Sequence, residues 1–207
     1  MSQRFRANEK VSKYGLAIVT GGSSGIGKSI IERLENLGPE MVIFNLSRRK
    51  PASFYNDSTR RHLECDLSDR ASRDAIFRRL EHEMDQLPAS ARVLLVNNAG
   101  LGSYRVVAEE EVCGLADLIE VNISALVELT TRLLPKIKQR GGSIMNIASI
   151  AAFQPTPFLA TYGASKAFVL SWTLALNEEL RGTSARAIAV CPGPTRTRFF
   201  ETAGIAT

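Results

Sequence analysis

A tyrosine and a lysine four residues apart, Tyr162 and Lys166, are the residues of this chain best suited to acid–base chemistry. Residues four apart on a helix lie on one face, so the phenol and the ammonium group can come close together. A nearby positive charge favours the phenolate and lowers the tyrosine pKa from about 10, which would allow proton exchange near neutral pH. This spacing also arises by chance, however, and the pair alone equally fits a packed aromatic beside an exposed lysine.

Ser149 strengthens the chemical interpretation, because it lies thirteen residues before Tyr162 and directly after the apolar run Ile144–Ala148. In a parallel sheet the carboxyl ends of the strands line the ligand crevice. We therefore expect Ser149 to face the helix of Tyr162, where its hydroxyl could hydrogen-bond a substrate oxygen.

A glycine-rich stretch, Thr20–Ser29, fits two phosphate-binding patterns. From Gly22 it reads G-x-x-x-x-G-K-[ST], the nucleoside triphosphate loop, which ends in Lys28 and Ser29. From Gly21 it reads T-G-x-x-x-G-x-G, a spacing variant of the dinucleotide fingerprint, whose glycines permit a tight turn and close approach of the pyrophosphate. Both patterns place an anion at a helix N-terminus, where unpaired N–H groups and the helix dipole favour it.

The acidic residue that a triphosphate hydrolase needs is missing from its expected place. Such an enzyme holds magnesium with an acid at the end of a second buried strand, but the best strand here, Arg92–Val96, ends in Asn97-Asn98. Asp66 follows a run that is only partly apolar. A P-loop nucleotide-binding protein is therefore the remote alternative, and Lys28 is interpreted as a solvated residue in the first turn of a helix.

The elements that must position these residues alternate between short apolar runs and helical patterns. The runs are too short for buried helices and are bounded by turn residues, which is typical of strands buried on both faces. They are Leu16–Thr20, Met41–Leu46, Val93–Val96, Ser143–Ile147 and Ala187–Val190, with Arg61–Cys65 as a weaker candidate. This alternation predicts an α/β fold, a single Rossmann-like doubly wound parallel sheet with helices on both faces.

The helical patterns lie between these runs. The first follows the glycine-rich stretch and stops at Gly38-Pro39, and the second spans about 69–87. A longer pattern runs from about Glu109 to Lys138, and Pro135 is expected to kink or end that helix.

The bulk composition points to one ordinary domain. The chain has 207 residues, of which 44% are hydrophobic and 23% are charged, enough for one buried core. The formal charge of +5 is dispersed without a basic stripe, so no nucleic-acid partner is predicted. The arm 1–14 is polar and basic, unlike a secretory signal or a membrane anchor, so we predict a cytoplasmic protein with no membrane partner and a domain over 15–207.

The motifs taken together resemble the short-chain dehydrogenase/reductase family. In chain order they are the glycine turn from Thr20, Asn97-Asn98-Ala99-Gly100, Asn122 in Val-Asn-Ile-Ser, Ser149, the pair Tyr162 and Lys166, and Pro192-Gly193-Pro194-Thr195-Arg196-Thr197. Their order and spacing match the family over nearly the whole chain.

The resemblance implies an enzyme that interconverts a carbonyl and a secondary alcohol by hydride transfer with a nicotinamide cofactor. The family's catalytic tetrad would be Asn122, Ser149, Tyr162 and Lys166. Tyr162 would be the acid in reduction and the base in oxidation, and Ser149 would orient and polarise the substrate oxygen. Lys166 would hold the nicotinamide ribose and lower the Tyr162 pKa, while Asn122 would position a water in a proton relay. No metal is implied.

The same resemblance implies the residues that would hold the dinucleotide. They are Gly21, Ser23, Ser24, Gly25, Ile26, Gly27, Ser47, Arg48, Arg49, Asp66, Leu67, Asn98, Ala99, Gly100, Tyr162, Lys166, Pro192, Gly193, Thr195 and Thr197. Among them, the Asp66 carboxylate would accept from the adenine amino group. Thr197 and the backbone near Thr195 would hold the carboxamide.

The end of the second predicted strand indicates which dinucleotide is preferred. NAD sites place an acid about twenty residues beyond the glycine turn to bond the ribose 2′-OH, whereas NADP sites accommodate a phosphate with arginine. Here Ser47 stands at the acid position, and Arg48, Arg49 and Lys50 follow it. A 2′-phosphate would be paired and not repelled, so NADP(H) is predicted over NAD(H). A solvated basic loop is the alternative interpretation.

The sequence gives less information about the substrate than about the cofactor. Candidate wall residues are apolar and equally fit ordinary packing; they are Leu101, Phe153, Pro155, Phe158, Phe199 and Phe200. They favour a hydrophobic ketone or secondary alcohol. Family members usually continue for several tens of residues beyond the Pro-Gly motif, so the resemblance implies that this chain lacks the usual substrate lid and last strand.

Two further expectations concern assembly and activity. The resemblance implies a homodimer or homotetramer formed through the helices around 109–138 and 158–181. The main alternative function is a catalytically silent NADP(H)-binding sensor or scaffold. The intact tetrad argues against that alternative, and the short C-terminus argues for it.

Overall fold

A computed structural model describes residues 14–51, 57–195, 197, 199 and 203–204. Six strands form one sheet in the order β3-β2-β1-β4-β5-β6, and all neighbouring pairs are parallel. The strands are β1 Tyr14–Thr20, β2 Val42–Ser47, β3 Arg60–Glu64, β4 Arg92–Asn97, β5 Gly142–Ile147 and β6 Ala185–Val190. The chain changes direction across the sheet between β1 and β4, so the crevice at their carboxyl ends is the ligand position of a doubly wound sheet.

Five α-helices connect the strands within the described residues. They are α1 Gly25–Leu37, α2 Arg70–Asp85, α3 Val112–Ile119, α4 Ala125–Arg140 and α5 Ala160–Glu179. Short 3₁₀ turns occur at Val107–Glu109 and Ile150–Ala152, and a π-helical turn, Glu120–Ser124, separates α3 from α4.

The helical pattern predicted over about 109–138 is observed as unbroken helical backbone over 112–140, with a change of geometry inside it. The π-helical turn joins α3 to α4 directly, whereas the 3₁₀ turn ends before this helix begins. The apolar periodicity does not reveal the π-helical geometry. The helix does not end at Pro135, since α4 continues to Arg140. Leu133 and Ile137 are fully buried on either side of the proline, and their packing holds the helix together despite the lost backbone hydrogen bond.

Alternate residues of the central strands face two separate apolar layers. Leu16 and Ile18 of β1 join a cluster that contains Phe77 of α2, whereas Ala17 and Val19 join a second cluster around Ile31 of α1. This period-two alternation shows that both faces of the central sheet are covered.

The strand β6 differs from the prediction of burial on both faces. Its Ala185 and Ala187 pack with Leu176 and Leu180 under α5, but Ile188 is 40% exposed on the other face. The strand lies at the end of the sheet order, where one face is left uncovered by the described residues. Among all the residues that the structure describes, no helix is long and apolar enough to cross a membrane.

Candidate active site

The turn between β1 and α1 requires glycine for two physical reasons. Gly21 and Gly25 have φ angles of 69° and 56°, which L side chains rarely adopt. A Cβ at Gly21 would lie 2.9 Å from the Ala99 Cα, and a Cβ at Gly27 would lie 2.5 Å from the Gly21 oxygen. The turn is therefore packed backbone against backbone, which leaves its outer surface open to a ligand.

Hydrogen bonds tie this turn to the ends of β4 and β2. The Asn98 side chain donates to the Thr20 and Gly21 carbonyls at 2.9 and 3.2 Å. The Thr20 hydroxyl accepts from the Asn98 and Ala99 N–H groups, both at 3.0 Å. The buried Asn45 Oδ1 accepts from the Gly22 N–H at 3.0 Å. The sequence analysis missed Asn45, whose only signal is a polar residue inside an apolar strand.

The helix α1 presents its N-terminus at this turn. Ser24 has an extended backbone and its side chain makes no capping hydrogen bond, so the first N–H groups of α1 are available to an anion. Lys28 lies on the solvent side, 48% exposed and 3.6 Å from Glu32. Its position matches the interpretation of a solvated first-turn residue.

One cavity of about 760 Å³ runs from the glycine turn to Tyr162 and on to Phe199. The predicted dinucleotide residues that line it are Gly21, Ser23, Ser24, Gly25, Ile26, Ser47, Arg48, Arg49, Asp66, Leu67, Asn98, Ala99, Gly100, Tyr162, Lys166, Pro192, Gly193, Thr195 and Thr197. Gly27 lies behind the turn, against Gly21 and Asn98. The structure therefore brings residues that are distant in sequence together around a single space large enough for an extended ligand.

Ser149, Tyr162 and Lys166 form the reactive end of this cavity. Ser149 follows β5; its Oγ accepts from the Ala151 N–H at 3.2 Å and lies close enough to the Tyr162 hydroxyl on α5 to affect the tyrosine pKa. Lys166 is only 4% exposed; its Nζ donates to the Ile147 carbonyl at 2.9 Å and lies 5.8 Å from the centroid of the Tyr162 ring. A hydroxyl, a phenol and an ammonium group thus line one wall.

Asn122 lies behind this wall in the π-helical turn. Its Oδ1 accepts from the Leu101 N–H at 2.8 Å, and its Nδ2 donates to the Leu101 carbonyl and the Ser165 hydroxyl, both at 2.9 Å. Gly100 lies between Asn122 and Lys166, since a Cβ there would be 3.4 Å from Asn122 Oδ1 and 3.2 Å from Lys166 Nζ. The predicted water-positioning role of Asn122 stays a prediction.

The pKa values at the reactive end follow from burial. Burial raises the pKa of Tyr162 above its ordinary value, against the opposing effect of the Ser149 hydrogen bond. Burial also lowers the pKa of Lys166 to about 8. The net lowering of the Tyr162 pKa that the sequence predicts is not found in this structure, because desolvation of the phenol raises that pKa. The phenol is therefore the stable form at neutral pH. The contribution of Lys166 to the Tyr162 pKa stays a prediction.

The opposite end of the cavity is charged and more exposed. The Ser47 hydroxyl donates to the Arg49 carbonyl at 2.9 Å, and Arg48 and Arg49 are exposed beside it. Burial acts to raise the pKa of Asp66. Hydrogen bonds from Ser68 and the charge of Arg48 have the opposite and larger combined effect, so the pKa lies below its ordinary value. This end combines a carboxylate and two guanidinium groups.

The predicted substrate wall is only partly formed. Leu101, Phe153 and Phe199 line the cavity, with the ring centroids of Phe199 and Tyr162 5.2 Å apart. Phe158 does not line the cavity, because its ring packs against Tyr104 at 5.4 Å. Pro155 also lies outside the lining, and Phe200 lies outside the described residues.

Further lining residues escaped the sequence analysis. Near Tyr162 they are Ile150, Ala151, Gln154, Thr156 and Leu159. These residues lie between Ser149 and the helix of Tyr162, and that position along the chain is the signal that would have found them.

A doubly wound sheet with a glycine turn at its switch point and a paired serine and tyrosine beyond β5 defines a dinucleotide-dependent oxidoreductase. Comparisons with known proteins extend this conclusion. The family model described as short chain dehydrogenase matches residues 15–205. An uncharacterised oxidoreductase of Staphylococcus saprophyticus is 33% identical over 182 residues, which cover 86% of this chain and 77% of that protein.

Two solved structures show the same fold at similar identity. A short-chain dehydrogenase from Sphingobium yanoikuyae in complex with NADPH has a TM-score of 0.81 and 32% identity, covering 93% of this chain and 75% of that one. The 3-ketoacyl-(acyl-carrier-protein) reductase from Brucella melitensis, complexed with NADH, has a TM-score of 0.79 and 28% identity, covering 92% and 80% of the two chains.

The chain belongs to the short-chain dehydrogenase family. The predicted family, the Rossmann-like fold and the reaction class, interconversion of carbonyl and alcohol groups with a nicotinamide cofactor, are confirmed. The dinucleotide pattern is accordingly the correct interpretation of the glycine-rich stretch, and the triphosphate pattern is coincidental.

Proposed function

We propose that this protein is an NADP(H)-dependent reductase of apolar carbonyl compounds in which Tyr162 is the proton donor. The observation that carries the proposal is that Ser149, Tyr162 and the buried Lys166 line the same cavity as the glycine turn. When bound, the nicotinamide supplies the hydride.

The chain's own residues account for the proton. The raised pKa of Tyr162 keeps its phenol protonated at neutral pH, which is the form that donates a proton to a developing alkoxide. The Ser149 hydroxyl, which lines the same cavity as the phenol, would orient the carbonyl oxygen toward the same donor. The Lys166 ammonium group, held by its hydrogen bond to the Ile147 carbonyl, would bind the hydroxyls of the nicotinamide ribose.

The preference for NADP(H) rests on the charge at the end of β2. Ser47 occupies the position of the ribose-binding acid, and the guanidinium groups of Arg48 and Arg49 line the cavity there. A 2′-phosphate would gain charge-assisted hydrogen bonds from either guanidinium. The Sphingobium structure is in complex with NADPH and the Brucella structure with NADH, so the preference proposed here rests on this chain's own residues at the end of β2.

The substrate class rests on the apolar lining near Tyr162. Leu101, Ile150, Phe153, Leu159 and Phe199 line that part of the cavity. Such a surface binds hydrophobic carbon chains or rings more tightly than charged groups. The cytoplasmic location and the homodimer or homotetramer stay predictions.

A panel of aldehydes and ketones, scored by loss of NADPH absorbance and repeated with NADH, tests this proposal. We expect turnover with apolar ketones, slower turnover with carboxylate-bearing analogues of the same length, and faster turnover with NADPH than with NADH at equal concentration. Calorimetry that detects NADPH binding while the whole panel stays inert would favour the silent sensor or scaffold instead.

A further inference from the structure

Arg73 is a buried arginine whose role neither the glycine turn nor the tetrad explains. It lies on α2 and is 3% exposed. Its Nη1 donates to the Leu67 carbonyl at 2.6 Å, its Nη2 pairs with Glu120 at 2.7 Å, and its Nε donates to Glu128 at 3.1 Å. A buried guanidinium is retained only where its hydrogen bonds are satisfied, and here each nitrogen has a different partner.

The three partners belong to segments with different tasks. Leu67 lines the adenosine end of the cavity beside Asp66. Glu120 is the first residue of the π-helical turn that contains Asn122, and Glu128 lies in α4 just beyond that turn. Arg73 therefore bridges the loop after β3 and both sides of the π-helical turn.

The π-helical turn is held at its inner side as well. Asn122 is 1% exposed, and its amide bonds the Leu101 backbone and Ser165. A π-helical turn is an uncommon alternative to regular α-helix and depends on its surroundings to persist. Arg73 holds the outer side of this turn and Leu101 holds the inner side, so a change at Arg73 reaches Asn122 through only two residues of backbone.

We propose that Arg73 is a positioning residue that couples the adenosine end of the cofactor site to Asn122. Through the Leu67 carbonyl it fixes the loop that would meet the adenine, and through Glu120 it fixes the turn that holds Asn122 behind Lys166. The inference rests on the proposed function for the roles of these two ends.

The geometry of the guanidinium makes this role specific to arginine. A guanidinium offers donors at three nitrogens in one plane, whereas a lysine ammonium is a single point charge. Lysine at this position would keep the charge but reach only part of the set of partners. Arg73→Lys therefore separates the bridging role from charge neutralisation.

Arg132 supplies a matched control on the same helix interface. It pairs with Asp74, with Glu81 at 3.9 Å and with Glu128 at 3.2 Å, so it shares Glu128 with Arg73, but among the described residues it makes no hydrogen bond or ion pair with Leu67 or Glu120. Arg132→Lys therefore disturbs the shared partner Glu128 and leaves the two contacts that define the proposed coupling, Leu67 and Glu120, in place.

The experiment compares wild type with R73K, E120Q and R132K. Calorimetry gives the NADPH Kd, the carbonyl compound that wild type reduces fastest gives kcat at saturating NADPH, and thermal unfolding controls for folding. For R73K we expect the NADPH Kd to rise about tenfold and kcat to fall about tenfold. For E120Q, whose carboxylate is 39% exposed, we expect kcat to fall while the NADPH Kd changes by less than about twofold. R132K should change neither by more than about twofold.

The proposal is overturned if R73K matches R132K in both Kd and kcat, or if E120Q leaves kcat unchanged. Should R73K fail to fold, the contrast between E120Q and R132K at the exposed end still decides the link to Asn122. A wild type that reduces no carbonyl compound would instead contradict the proposed function. In that case an R73K that leaves the NADPH Kd at the wild-type value would overturn the proposed link to the adenosine end, and an increased Kd would support it.

Discussion

The two halves of the cavity are built by different means. The nucleotide half, formed by β1 to β3 and the glycine turn, shapes its surface with backbone: Gly21 and Gly25 adopt positive φ angles, and Gly27 packs against the Gly21 carbonyl. The catalytic half, formed by β4 to β6 and α5, uses buried side chains such as Asn122 and Lys166. Cofactor binding in the nucleotide half therefore depends on the space that the glycines leave open. Catalysis in the other half depends on buried polar side chains that are held by hydrogen bonds.

The halves also differ in how they treat charge. Arg48 and Arg49 lie exposed to solvent at the adenosine end, while Lys166 is buried at the reactive end and its pKa falls to about 8. A solvated charge costs the fold little, but a buried one destabilises it. The catalytic half therefore gives up stability for function, and the nucleotide half does not.

The largest expected effect comes from Lys166→Met. Turnover should fall by about 10³-fold. The pKa of this lysine is 10.5 in the unfolded chain and about 8 in the folded one. As the pH falls from 10.5 to 8 the unfolded chain takes up the proton first, so below about pH 8 the lysine destabilises the fold by about 3 kcal/mol. Removing the lysine therefore stabilises the fold, but the loss of its hydrogen bond to Ile147 offsets about 1 kcal/mol of that stabilisation.

Urea unfolding at pH 7 and pH 10 checks the stability part of this prediction. At pH 7 K166M should be more stable than wild type by about 2 kcal/mol, and the difference should shrink as the pH rises from 8 toward 10.5. Lys136→Met is the control, because Lys136 pairs with Asp85 near the surface. A K166M that is less stable than wild type at pH 7 would contradict the comparison.

The second effect is expected from Gly21→Ala. The new Cβ would stand 2.9 Å from the Ala99 Cα at a φ of 69°, so the turn must open. The NADPH Kd should rise by about tenfold to 100-fold and the free energy of unfolding should drop by about 2 kcal/mol. Calorimetry and urea unfolding measure the two quantities.

Gly182→Ala is the matched control for this glycine. Gly182 has a φ of 80°, but nothing lies within 4 Å of a Cβ there, and it does not line the cavity. The control should lose about 1 kcal/mol of stability through backbone strain alone and keep wild-type NADPH binding. Equal losses of binding in both variants would show that the close packing of the turn is not what shapes the site.

The smallest effect is expected from Arg48→Ala. Removing one guanidinium from the adenosine end should raise the NADPH Kd by about fivefold to tenfold and leave the NADH Kd unchanged. The difference should diminish in high salt, because the site is open to solvent. Arg181→Ala, at an exposed position outside the cavity lining, should change neither Kd. A parallel loss of NADPH and NADH affinity in R48A would remove the basis for NADP selectivity.

The sequence predicted most of the fold because most of its strands are strongly patterned. Even for the weaker candidate, the predicted Arg61–Cys65 and the observed Arg60–Glu64 differ by only one residue at each end. It failed where local backbone geometry decides: the π-helical turn at Glu120–Ser124 lies inside a pattern that reads as continuous helix.

The site was predictable where residues belong to a motif and less so where packing decides. Tyr162 and Ser149 were identified from their spacing, and in the structure both line the same cavity. Phe158 was expected in the substrate wall because it is apolar, but its ring packs against Tyr104 instead. Arg73 reads as one of many surface arginines on an amphipathic helix, and only the fold reveals its burial.

We propose that Tyr162 donates the proton in a site that binds the cofactor independently of the Tyr162 hydroxyl. The direct measurement is NADPH oxidation by wild type and Tyr162→Phe side by side, with calorimetric NADPH titrations of both. In Y162F we expect turnover to fall by about 10³-fold while the NADPH Kd stays within about twofold of the wild-type value. A Y162F enzyme that reduces the same carbonyl compound at the wild-type rate would contradict it.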